Sequence, residues 1–93
     1  MTMFYEKNDI FIVMRKMIVS ARTGDYGAAS SEINQFLLLL QAELSKGRIS
    51  AAALSKITFS LETIVEMQKS GDWVAVADVL EFEFIPLWKG LSF

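Results

Sequence analysis

The sequence predicts an all-α protein: two antiparallel helical hairpins, either closed as an up-down four-helix bundle or stacked one hairpin on the next. Three observations carry that prediction. The segment Arg22-Thr23-Gly24-Asp25-Tyr26-Gly27-Ala28-Ala29 is echoed, 47 positions later, by Lys69-Ser70-Gly71-Asp72-Trp73-Val74-Ala75-Val76. Apolar residues recur at helical spacing on both sides of each copy. The same offset also aligns the flanking segments: Ile10 falls on Ile57, Met14 on Leu61, Met17 on Ile64 and Ile18 on Val65. Gly followed by Asp is the chemistry of a tight interhelical turn. Gly supplies the left-handed conformation that closes one helix, and Asp caps the free N–H groups of the next.

The first helix is expected to start between Met3 and Asp9 and to end at Gly24, with Ile10, Val13, Met14, Met17, Ile18 and Ala21 as its buried stripe. The second starts at Asp25, buries Ala29, Ile33, Phe36, Leu37, Leu40 and Leu44, and closes at Gly47. Ser50 is the expected N-cap of the third, with Ile49 and Leu54 placed as a hydrophobic staple. Its stripe is Leu54, Ile57, Leu61, Ile64 and Val65, ended by Gly71. The fourth runs from Asp72 through Trp73, Val76, Ala77, Leu80 and Phe84 toward Trp88. One helical domain spans the chain, hairpin 1 over about 3–46 and hairpin 2 over about 49–89. Pro86 lacks an N–H and its ring presses on the carbonyl of Phe82, so a kink or an end is expected there. Phe11-Ile12-Val13 and the alternating Glu81-Phe82-Glu83-Phe84-Ile85 also fit short strands, but neither is flanked by a hairpin turn.

Composition excludes several functions. With neither His nor Cys, the chain has no imidazole base, no thiolate or imidazole zinc ligand and no disulfide framework. Net charge is −2 and the 9 basic residues are scattered, which argues against a nucleic-acid track. The apolar block Ile33–Ala42 is far short of the ~20 residues that span a bilayer. A soluble cytoplasmic chain is expected, without a membrane span or a signal peptide. Yet 53 % of the residues are hydrophobic and mean hydropathy is +0.36. That is more apolar surface than a small monomer buries, which points to self-association or a partner.

The turns Gly24-Asp25-Tyr26-Gly27-Ala28-Ala29 and Gly71-Asp72-Trp73-Val74-Ala75-Val76 resemble the turn between the two helices of a tetratricopeptide repeat. The resemblance implies stacked hairpins and a scaffold for peptides or partner proteins. The period of 47 departs from the family's usual ~34. In size, acidity and helicity the chain also resembles small helical chaperones and adaptors, such as the export chaperones of flagellar subunits.

Candidate sites follow from residues that fall off the core stripes. Ile12 and Val19 lie opposite the Ile10/Met14/Met17 stripe, flanked by Arg15 and Lys16. Leu38 and Leu39 extend the second helix beyond its stripe, Leu38 being readable as a wider core and Leu39 as the odder residue. Measured from Leu80, Phe84 lies near 40°, in the core, whereas Val74, Ile85 and Phe82 lie at about 120°, 140° and 200°. Ile12, Val19, Leu39, Val74, Phe82, Ile85 and Trp88 are therefore the expected interface. Leu87, Leu91 and Phe93 add to an apolar chain end that must dock somewhere.

Glu62 and Glu66, with Asp78, Glu81 and Glu83, read as solvated helix surface rather than a metal site. Helical di-metal sites want Glu-x-x-His pairs, and Glu81 and Glu83 point about 200° apart. Gly27, inside the second helix, fits a close approach by a neighbouring backbone or by Tyr26 and Trp73. The expected function is a non-enzymatic protein–protein interaction module (an adaptor, regulator or chaperone) that forms a homodimer, uses no cofactor and takes a protein or peptide partner. The alternative is a binding module for a small apolar ligand or lipid, held by Met14, Met17, Phe36, Phe59 and Phe84.

Overall fold

Gly24 (φ 82°) and Gly71 (φ 77°) occupy the left-handed region at matching places in two interhelical turns. The computed structural model describes residues 7–47 and 49–91. The proposed start of hairpin 1 at residue 3, and Phe93, lie outside the described residues. Helix α1 is Lys7–Thr23, α2 Tyr26–Leu44, α3 Ala51–Lys69 and α4 Trp73–Val79. A π-helical turn, Leu80–Phe84, joins α4 to a short α5, Ile85–Lys89. Among the described residues there is no strand, and both segments that fit strands are helical.

The repeated motif explains the turns atom by atom. The Asp25 N–H donates to the Ser20 carbonyl at 2.9 Å, and the Asp72 N–H to the Met67 carbonyl at 2.9 Å. These are the long bonds that close a helix past a left-handed glycine. The same two carboxylates then accept from the N–H groups of Ala28 (3.2 Å) and Ala75 (3.1 Å). Each Asp thus closes one helix through its backbone and opens the next through its side chain. The hydroxyls of Thr23 and Ser70 donate to the Val19 and Glu66 carbonyls, at 2.8 and 3.2 Å. Ser50 caps α3 as expected, accepting from the Ala53 N–H at 3.2 Å.

Burial follows the predicted stripes. The repeat mates Ile10 and Ile57 are fully buried, as are the repeat mates Met17 and Ile64. One contiguous core runs from Ile10 to Trp88. Helix α1 packs against α2 and α4, and α3 packs against α4 and the π turn, which gives the order α2–α1–α4–α3. Among the described residues no comparably extensive α2–α3 pairing closes a ring, so the bundle is open. Its extents of 34 × 34 × 18 Å describe a slab, about two helices thick. The hairpins are joined at their turns, where Tyr26 stacks on Trp73 with ring centroids 5.8 Å apart.

The end of the chain departs from expectation. The helix does not stop at Pro86. It widens one turn earlier, the Ile85 N–H donating to the Leu80 carbonyl, five residues back rather than four. A π turn of this kind inserts one residue into the helical register. The wider turn leaves room for the Pro86 ring and absorbs its missing donor. The extra residue also rotates α5 by about 100°, which turns Ile85 and Trp88 toward the core. Phe36 meets Phe84 edge-on at 5.3 Å, and Phe84 stacks on Trp88 at 6.1 Å.

Candidate interaction surface

The structure divides the seven expected interface residues. Ile12 (53 % exposed), Val19 (61 %), Val74 (62 %) and Phe82 (66 %) stand on the surface. Leu39 (3 %), Ile85 (6 %) and Trp88 (0 %) do not. These three need correction: they are core residues of the chain itself. For Ile85 the cause is the π turn, which no uniform 100° wheel anticipates, whereas Trp88 lies about 80° from Leu80 on that wheel, at the edge of the core stripe. For Leu39 it is the breadth of the α2 interface. Leu39 and Glu43 extend the buried arc on one side, while Leu38, the residue thought to widen the core, is 67 % exposed.

Two further expectations fail on α3. Phe59 is 73 % exposed rather than part of a core pocket, and Leu54 is 41 % exposed. Phe59 lies about 200° from Ile57 on the helical wheel, a signal that was available in the sequence. Leu54 sits in the first turns of α3, where the open α2 side leaves it uncovered. Gly27 has nothing within 4 Å of where a Cβ would stand, so no close approach explains it.

The four exposed residues point away from the core on neighbouring elements. Val19 and Ile12 lie about 180–200° from core-facing Ile10, and Val74 and Phe82 about 120–200° from core-facing Leu80. Helices α1 and α4 are antiparallel neighbours. Near one end of their seam Arg22 donates to Glu81 at 2.6 Å and to Asp78 at 3.1 Å. The Glu81 bond, helped by Asp78 and opposed by partial desolvation, raises the guanidinium pKa above its ordinary value, so Arg22 stays charged. Farther along the seam an open groove of about 630 Å³ is lined by Arg15, Ile18 and Val19 from α1 and by Glu81, Ile85, Pro86 and Lys89.

Charge is unevenly divided across that seam. The outward side of α1 carries Arg15, Lys16 and Arg22, whereas α4 and the π turn carry Asp78, Glu81 and Glu83. The most buried carboxylate of the described residues, Glu43 (3 % exposed), pairs with Lys46 at 2.9 Å at the far end of α2. Glu62, Glu66, Asp78, Glu81 and Glu83 are all exposed. Among the described residues no group of acids is placed to hold a metal ion, and no helix is long and apolar enough to cross a membrane. Met14, Met17, Phe36 and Phe84 fill the core against one another and its other residues.

Residues 14–92 match the family model described as Domain of unknown function (DUF8042), and the chain belongs to that family. Comparison with curated proteins and with solved structures returned no match.

Proposed function

We propose that the chain is a non-enzymatic, cytoplasmic interaction module that self-associates and serves as an adaptor, regulator or chaperone-like protein. One observation carries the reading: Ile12, Val19, Val74 and Phe82, all more than half exposed, stand on the solvent-facing sides of neighbouring helical segments. Scattered exposed apolar residues are ordinary, but several on one face rimmed by charge have the composition of a docking surface. A sequence without His or Cys offers neither an imidazole base nor a thiolate nucleophile, which favours binding over chemistry.

Sedimentation equilibrium tests the reading. The wild type is expected to be a dimer at micromolar concentration. Val19→Glu or Phe82→Glu is expected to give a folded monomer, because a charge in a desolvated interface is disfavoured. A wild type that stays monomeric over the accessible range overturns self-association. The groove of about 630 Å³, with Ile18, Val19, Ile85 and Pro86 in its lining, favours a second reading as a site for a small apolar ligand. Lipid carried through purification into a native mass spectrum would support that reading instead.

A further inference from the structure

We infer that the α1–α4 face is self-complementary and that its occupant is a second copy of this chain, related by a two-fold axis lying along the α1–α4 seam. The inference rests on the self-association reading above and adds the face, the register and the pairs that set them.

The division of charge supplies the first argument. Basic and acidic surfaces sit side by side on one face, with exposed apolar residues on each: Ile12 and Val19 on the basic side, Val74 and Phe82 on the acidic side. A face of that kind is matched by its own copy turned over, since the rotation lays basic on acidic from both directions. That is the requirement of an isologous interface. Arg22, Asp78 and Glu81 neutralise one another within the chain. Among the described residues Arg15, Lys16 and Glu83 form no ion pair.

The register follows from the antiparallel packing. Arg22 bonds Asp78 and, one turn along each antiparallel helix, Val19 lines a groove with Glu81, so Val19 and Glu81 stand at about one height along the seam. A two-fold axis along the seam preserves height and exchanges sides. It therefore brings Val19 of one copy over the neighbourhood of Glu81 in the other, where Phe82 projects outward. The outer flanks are exchanged in the same way. Lys16 sits on the flank of α1 away from the seam, sharing a groove with Ser20 and Glu32. Glu83 sits on the flank of the π turn away from the seam, sharing a groove with Lys56 and Phe59 of α3. Three positions along α1 separate Lys16 from Val19, in the direction that leads from Glu81 toward Phe84. The rotation thus sets Lys16 against Glu83 of the second copy, twice per dimer.

Charge reversal tests the pairing. Lys16→Glu and Glu83→Lys, measured singly by sedimentation equilibrium, are each expected to raise the dimer dissociation constant by about tenfold or more, since like charges in apposition cost over 1.4 kcal/mol. The double variant is expected to return close to the wild-type constant. Both side chains are exposed, and matching thermal melts confirm that the fold is retained. Because the chain has no Cys, a second measurement reads the register directly. Val19→Cys chains mixed with Phe82→Cys chains are expected to form the mixed disulfide in preference to either homodisulfide under mild oxidation, as the bond needs Cα atoms about 4.4–6.8 Å apart. Singles that leave a wild-type dimer intact, a double variant that is not restored, or an absent mixed disulfide overturns this face and register while self-association stands. A monomeric wild type removes both.

Discussion

Asp25 and Asp72 each hold two helices, by a backbone bond to the helix before and a side-chain bond to the helix after. Replacing either with Ala removes only the second bond. Each change is expected to cost about 0.5–2 kcal/mol in a denaturation experiment, with the backbone turn kept by Gly24 or Gly71. Unchanged midpoints for both variants would show that the caps contribute nothing. These turns were legible in the sequence because their chemistry is local: a positive φ demands Gly, and a short carboxylate reaches the next N–H groups whatever lies around them. Leu38 and Leu39 show where that legibility stops. Both are apolar, adjacent and off the narrow stripe. Which of them is buried depends on the position of α1 and of the core beyond it, and the answer is Leu39.

At the scale of the element, the π turn is the feature the sequence left undecided. Pro86 signalled a disturbance, expected as a kink or an end, and the structure answers with a widened turn instead. The widened turn prevails because it keeps the helix continuous and buries Trp88 and Ile85 in the same step. Full burial of Trp88 makes α5 part of the core. Trp88→Ala is expected to cost about 3–5 kcal/mol, read from chemical denaturation, with loss of near-UV aromatic signal. A change below 1 kcal/mol would mean that α5 is docked only loosely. Phe82, in the same five-residue segment, stays outside because it projects from the opposite side of the helix.

Across the whole molecule, the Tyr26–Trp73 stack ties the two hairpins together at their turns. It joins equivalent positions of the internal repeat, so one local motif makes both hairpins and also part of the contact between them. A double-mutant cycle of Tyr26→Ala and Trp73→Ala is expected to give a coupling of about 0.5–1.5 kcal/mol. A coupling near zero would mean that the rings are neighbours without mutual stabilisation. The open order α2–α1–α4–α3 leaves α1 and α4 side by side on the slab, and that adjacency is what gathers Val19 and Phe82 onto one surface.

Helix existence, the turns, the caps and most of the buried stripes were determined by the sequence alone. They depend on interactions spanning one to five residues and on a hydrophobic period that needs no knowledge of the partner helix. Tertiary structure alone decided which off-stripe residues are core, how the chain passes Pro86 and which helices share a face. Leu39 is inside because a neighbour covers that side of α2. Leu54 is outside because little covers the start of α3, whereas the exposure of Phe59 follows from its place opposite Ile57 on the helix. Burial of a residue beyond the central stripe is a property of what packs against it, and contacts between helices far apart in sequence are set by the shape of the whole core.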